Sequence, residues 1–201
     1  MTSDFRVYQP FRYPILTGVL KEDFTALRSS DKLAMGHGQA GETSNKPGLR
    51  VLEDYPDLRD ILLNYFKDFA KQIGYTNDLI ISTSWLTKLK EGDVIKEHNH
   101  ANSFYSGVFY YGDYNDNTVI QLANPIRDTS SFELESNMEC PLSTDWGYIP
   151  ETNLLIVFPS SIRHSVPVYT GKEDRVSLAF NVIPKGCYGI GDSYIDTSWT
   201  Q

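Results

Sequence analysis

Leu154-Leu155-Ile156-Val157-Phe158-Pro159-Ser160-Ser161-Ile162-Arg163-His164-Ser165-Val166-Pro167-Val168 is the stretch that decides the architecture. Leu154 to Phe158 are uninterrupted apolar residues, the pattern of a buried strand. Pro159-Ser160-Ser161 reads as a turn, and His164 to Val168 as a second strand expected to return beside the first. The same texture runs outward on both sides. Leu79 to Leu89, Ser103 to Tyr111, Thr118 to Leu122 and Arg175 to Ile183 are short runs rich in β-branched and aromatic residues. Turn residues separate them at Glu91-Gly92-Asp93, Gly112 to Asp116 and Thr170-Gly171-Lys172. Short strands punctuated in this way predict a sandwich or barrel rather than alternating βαβ units.

N-terminal to the β-rich part, Leu58, Ile61, Leu62, Tyr65, Phe66, Phe69 and Ile73 fall at helical spacing and predict one long helix over Asp54 to Ile73. Its apolar stripe is core packing against a sheet. Asp23 to Ser29 reads as a short helix, and Phe11 to Leu20 alternate loosely. Gly36-His37-Gly38-Gln39-Ala40-Gly41 has the letters of a dinucleotide fingerprint, but no apolar strand enters it and no helix pattern leaves it, so it carries no such site. Asn124 to Glu151 is the longest weakly patterned segment, a candidate lid in which Trp146 and Tyr148 either help cover a substrate or pack on the surface.

With 201 residues, 40% of them apolar, the chain fits a single domain with one core. Residues 1–76 are expected to form a helical support region, 77–185 the β core and 186–201 a tail. The formal charge of −8 argues against a nucleic-acid partner, whose phosphates are bound largely by clustered Lys and Arg. The longest apolar runs fall far short of the roughly 20 residues of a membrane span, so a soluble, cytoplasmic protein is expected. Only two cysteines, Cys140 and Cys187, are present, and their spacing suggests neither a disulfide framework nor a zinc knuckle. A homodimer is compatible with the sequence.

Three of the four histidines carry the chemistry. On a strand, residues two apart face the same way, so His98 and His100 can aim both imidazoles at one point while Asn99 faces away. A polar patch at a strand end is the bland alternative. His164 adds a third imidazole from another strand, and such a ligand set with open positions suits iron, zinc, copper or nickel. Arg175 and Ser177 alternate against Val176 and Leu178 and share a face. In a pocket, a guanidinium fork and a hydroxyl two residues on make a clamp for a carboxylate. The competing reading is an exposed arginine paired with Glu173 or Asp174.

His98-x-His100, Ser106-Gly107-Val108-Phe109-Tyr110-Tyr111, Phe158-Pro159-Ser160 before His164, and Arg175-Val176-Ser177-Leu178-Ala179-Phe180-Asn181 together resemble a largely uncharacterised family of 2-oxoglutarate/Fe(II)-dependent oxygenases. The resemblance spans about Trp85 to Asn181. It implies a mainly β (α+β) fold: a double-stranded β-helix, or jelly roll, with flanking N-terminal helices. It implies Fe(II) as cofactor and 2-oxoglutarate as cosubstrate, converted with O2 to succinate and CO2 as a small-molecule or side-chain substrate is hydroxylated. Carried over by position, His98 and His164 bind iron, and Arg175 with Ser177 holds the distal carboxylate of 2-oxoglutarate. Tyr110 either adds a hydrogen bond there or belongs to the core.

One position departs from the wider pattern, which places Asp or Glu where His100 stands. His100 is then a third neutral ligand, or it lies behind the metal with water in its place. A frame in which His100 and Asn102 form the pair is a further alternative. Two other classes stay open. A cupin-type metalloenzyme fits Gly92 with His98-x-His100 and Pro159-x-Ser161-x-x-His164, but it lacks a glutamate at Phe104 or Tyr105 and gives no reason for Arg175-x-Ser177. A non-catalytic jelly-roll binding protein fits the 13 tyrosines. His98-Asn99-His100 also spells a nuclease motif, which needs a ββα-metal setting and basic surroundings not found here.

Overall fold

The computed structural model describes residues 13–22, 24, 34–35, 42–43, 50–114, 116–125 and 145–198. The short helix expected over Asp23 to Ser29 (apart from Phe24), the glycine motif at 36–41, Cys140 and most of the candidate lid lie outside these residues. The strands in chain order are β1 (Leu16–Val19), β2 (Ala34–Met35), β3 (Glu42–Thr43), β4 (Leu79–Leu89), β5 (Ile95–His98), β6 (Tyr105–Tyr110) and β7 (Ile120–Ala123). They continue with β8 (Asp145–Tyr148), β9 (Leu154–Pro159), β10 (His164–Val166), β11 (Arg175–Pro184), β12 (Cys187–Tyr188) and β13 (Ile195–Asp196).

A seven-stranded sheet runs β1-β9-β6-β11-β4-β3-β2, and a four-stranded sheet runs β5-β10-β7-β8. All the strand pairings are antiparallel. From β4 to β11 the chain crosses repeatedly between the sheets: β4, β6, β9 and β11 lie in the large one, β5, β7, β8 and β10 in the small one. That alternation is the double-stranded β-helix. It also corrects one expectation. β10 does not return beside β9; after the turn it crosses to the small sheet and pairs with β5 and β7. The β12–β13 hairpin stands apart as its own two-stranded sheet.

The uninterrupted apolar run of β9 follows from its position. Leu155 and Val157 join the core on the outer side of the large sheet, while Leu154, Ile156 and Phe158 join the core between the sheets. Both faces are covered, so alternation with polar residues is unnecessary. β11 shows the opposite case: Leu178, Phe180 and Val182 enter the outer core, and the residues between them turn inward.

The outer core is closed by α1 (Pro56–Gln72), which follows a 3-10 turn at Val51–Asp54. Pro56 opens the helix with its φ already set and no amide proton to satisfy. Leu58, Leu62, Phe66, Phe69 and Ala70 are buried along one stripe. Phe66, tilted, and Phe69, edge-on, pack against Tyr105 of β6 at 5.4 and 5.7 Å between ring centroids. Gly74, at φ +94, ends the helix where an L side chain would be strained. Only this long helix is described on the N-terminal side, and β1, β2 and β3 from the same region extend the large sheet. Among the described residues no helix is long and apolar enough to cross a membrane.

Gly107 allows the large sheet to pack this closely. It stands opposite Phe180 in the β6–β11 register, and a Cβ built on it would lie 2.2 Å from the Phe180 ring. Only a residue without a side chain leaves room for that ring.

Candidate active site

The inward-facing residues of the two sheets line one cavity. β4 supplies Trp85, Thr87 and Leu89, β6 supplies Ser106, Val108 and Tyr110, and β11 supplies Arg175, Ser177 and Ala179. The small sheet contributes Ile95 and His98, Ile120, and His164 with Val166; His100 and Phe158 complete the wall. Every residue that the sequence singled out for metal or carboxylate binding therefore reaches one space: His98, His100, His164, Arg175, Ser177 and Tyr110.

His98 and His164 are direct cross-strand partners of β5 and β10, so the pairing register itself sets their rings side by side, 4.3 Å between centroids. His100 is placed differently from the expectation. β5 ends at His98, and His100 follows in the connecting segment, where its amide donates to the Ser160 carbonyl at 3.1 Å. The shared face of a strand is thus not what unites His98 and His100; the tie to the turn after β9 is. The His100 ring lies 5.3 Å from that of His98 and 5.0 Å from that of His164. One nitrogen from each ring lies within 4.8 Å of the other two. Asn102 sits beyond the cluster at φ +55, in the left-handed region that asparagine tolerates.

The hydrogen bonds behind the rings decide which nitrogens face inward. Nδ1 of His98 donates to the Lys96 carbonyl at 2.8 Å, and Nδ1 of His164 donates to the Ile162 carbonyl at 3.3 Å. A carbonyl only accepts, so both rings carry a proton on Nδ1, and the neutral form of each has its lone pair on Nε2. Nδ1 of His100 lies 2.6 Å from Oδ1 of Asn181 and 2.9 Å from Oγ of Ser106. Burial, with the neighbouring histidines adding to it, pushes His164 down to about 3. Burial also lowers His100, opposed by the Asn181 hydrogen bond. Neutral imidazoles with converging lone pairs are what a divalent transition metal takes.

Deeper in the cavity Arg175 is 2% exposed. Its Nη1 donates to the Thr118 carbonyl at 2.5 Å and its Nη2 to the Tyr110 hydroxyl at 3.1 Å, with the guanidinium 5.4 Å from the Tyr110 ring centroid. Both partners are neutral. Among the described residues no carboxylate forms an ion pair with Arg175, so the surface pair with Glu173 or Asp174 is not formed. Lys88 takes Asp174 instead, at 3.5 Å. Tyr110 is itself fully buried, which raises its hydroxyl above the usual phenol range and keeps it protonated.

Residues 83–181 match the model of a family described as "Putative 2OG-Fe(II) oxygenase". The β core of this chain, residues 83–181, belongs to the 2OG-Fe(II) oxygenases. The matched segment contains all six cavity residues named above. Among solved structures, the non-haem α-ketoglutarate-dependent epimerase SnoN from nogalamycin biosynthesis superposes with a TM-score of 0.58 at 13% identity, over 89% of this chain and 79% of its own. HygX from Streptomyces hygroscopicus, with nickel and 2-oxoglutarate bound, gives 0.54 at 12% identity, over 86% of this chain and 85% of its own. An oxidoreductase of the 2OG-Fe(II) oxygenase family from Burkholderia pseudomallei aligns over 57% of this chain at 17% identity and a TM-score of 0.45; the chain spans 49% of that protein's length. SnoN and HygX share the 2OG-Fe(II) oxygenase fold described above. No match was found among curated proteins.

Sequence reasoning assigned no role to Asn181, Ser106, Ser160, Thr118 or Trp85. Asn181 Nδ2 donates to Thr83 Oγ1 at 2.9 Å, and Ser106 Oγ donates to Asn181 Oδ1 and meets Ser160 Oγ, each at 2.8 Å. Trp85 packs against His100 at 5.4 Å. A usable signal was present: Arg175, Ser177, Ala179 and Asn181 fall on one face of β11, so the period of two that joined Arg175 to Ser177 continues to Asn181.

Proposed function

We propose that this chain is a non-haem Fe(II), 2-oxoglutarate-dependent oxygenase that oxidises a C–H bond of a small-molecule or side-chain substrate. His98, His100 and His164 hold the iron, and Arg175, Ser177 and Tyr110 receive the distal carboxylate of 2-oxoglutarate. With iron bound, 2-oxoglutarate and O2 supply the oxidising chemistry, yielding succinate and CO2.

The observation that carries the reading is a buried guanidinium that has no carboxylate partner among the described residues and faces the same cavity as three imidazoles. An unpaired buried charge is costly, and a fold keeps one where a ligand supplies the counter-charge. Arg175 uses only two of its five N–H groups on the protein's Thr118 and Tyr110. The fork then has donors left for a carboxylate, and the Ser177 hydroxyl stands two residues along the same strand face. A 2-oxoglutarate dianion has its acidic groups at opposite ends, so one end meets Arg175 while the keto-acid end reaches the imidazole cluster. The protein's own contributions are orientation of that molecule, a dry wall of Leu89, Val108, Ile120 and Phe158, and fixed tautomers for its ligand imidazoles.

The direct test replaces His164. Purified wild-type protein is expected to bind one equivalent of Fe(II) or Ni(II) anaerobically, and His164→Ala none at the same concentration. Equal stoichiometry in the two proteins overturns the assignment.

A further inference from the structure

We infer that Asn181, aided by Ser106, is the residue that turns His100 into a metal ligand by fixing which of its nitrogens carries the proton. The inference rests on the metal site proposed above and adds positioning residues that contact no reacting atom. His98 and His164 are each locked by a main-chain carbonyl close by in sequence, Lys96 and Ile162. Those locks come with the backbone and need no particular side chain. His100 stands past the end of β5, and among the described residues no such carbonyl meets its Nδ1; its nearer partner is the side chain of Asn181, remote in sequence on β11, at 2.6 Å, with Ser106 Oγ at 2.9 Å. Its tautomer therefore depends on a side chain.

The network around Asn181 orients the amide. Oδ1 accepts from His100 Nδ1 and from Ser106 Oγ at 2.8 Å, while Nδ2 donates to Thr83 Oγ1 at 2.9 Å. Ser106 is 1% exposed and continues to Ser160, whose hydroxyl reaches Ser103 at 2.9 Å. Ser160 also fixes the His100 backbone, since its carbonyl accepts the His100 amide at 3.1 Å. Main chain and ring of His100 are thus tied to one polar cluster spanning β4, β6, β11 and the turn after β9. With the proton on Nδ1, the lone pair of His100 falls on Nε2, the nitrogen this network leaves free for a metal; with the proton on Nε2, that nitrogen could not ligate.

The chemistry of the partner matters as well. An amide oxygen holds the Nδ1 proton without adding charge, whereas a carboxylate would make the imidazole a stronger, partly anionic donor. The three-imidazole set consequently carries no charge of its own, and the metal's double positive charge is left for an anionic ligand to balance.

The test compares Ni(II) affinity, measured by anaerobic calorimetry on the full chain, for wild type, Asn181→Leu, Asn181→Asp, Ser106→Ala and His164→Ala. Melting temperatures of the metal-free proteins serve as folding controls. Loss of such an outer hydrogen bond weakens metal binding about 10- to 100-fold, the result expected for Asn181→Leu, with Ser106→Ala showing a smaller loss. Asn181→Asp keeps an acceptor on Nδ1 and is expected to match wild type or bind more tightly. Affinity unchanged in Asn181→Leu, or reduced equally in the Leu and Asp variants, overturns the positioning role while leaving the metal site in place. Unchanged affinity in His164→Ala removes the metal site itself, and the inference with it.

Discussion

Replacing Arg175 with leucine removes the buried guanidinium from the cavity and keeps an apolar side chain on the same strand face. The guanidinium already donates to Thr118 and Tyr110, which leaves enough N–H groups for two parallel bonds to a carboxylate. A hydrogen bond to a charged group contributes about 1.5–3 kcal/mol, so losing two costs about 3–6 kcal/mol of binding. At about 1.4 kcal/mol per tenfold, 2-oxoglutarate affinity should fall by about 100- to 10,000-fold. Solvent offers little compensation, because Arg175 is 2% exposed. Metal affinity should stay near the wild-type value, since no His98, His100 or His164 contact involves Arg175. Arg175→Lys should recover part of the loss, because it restores a point charge but not the fork. The assay is an anaerobic calorimetric titration of 2-oxoglutarate into Ni(II)-loaded protein. Equal cosubstrate affinity in wild type and Arg175→Leu refutes the carboxylate clamp.

Two further outcomes concern the scaffold. Gly107→Ala places a methyl group where the Phe180 ring lies, 2.2 Å from its nearest atom, and should destabilise the fold by about 1–3 kcal/mol through overpacking, read as a lower denaturation midpoint; an unchanged midpoint counters the packing argument. Metal-free protein should lose stability as pH falls below about 6.5, because His164 is held down to about 3 and the unfolded chain takes up its proton first. The loss for this group is at most about 1.4 kcal/mol per pH unit and runs between those two values, with His100 acting in the same direction. A melting temperature that stays flat from pH 7.5 to 5 contradicts the buried neutral imidazole.

The parts of the fold that follow from local patterning were legible in the sequence. β4 was read at its observed limits, Leu79–Leu89, and β9, β11 and α1 to within a few residues, because buried strands and an amphipathic helix leave runs of apolar side chains. β5, with residues Ile95-Lys96-Glu97-His98, has only one aliphatic residue, and β8 is largely exposed, so neither shows a hydrophobic signal. The destination of β10 was misread for a different reason. A turn in sequence states that the chain reverses, not which sheet receives it, and that choice belongs to the long-range pairing of His164 with His98.

The same division applies to the cavity. His98, His164, Arg175 and Ser177 could be grouped because each faces inward from a strand whose period is two. His100 was included on that rule and reaches the cluster by another, a loop tied to Ser160 and Asn181. The main-chain acceptor of Arg175 is not legible: the Thr118 carbonyl has no side-chain signature, and it comes from a segment remote in sequence.

The most direct measurement of the central claim is the linkage between the two ligands. If the imidazole cluster and Arg175 grip opposite ends of one molecule, Ni(II) must raise 2-oxoglutarate affinity and 2-oxoglutarate must raise Ni(II) affinity by the same factor. Calorimetry in both orders on wild-type protein should return equal factors well above tenfold. Independent binding of the two, with a factor near one, would show that the cavity does not join them and would contradict the account.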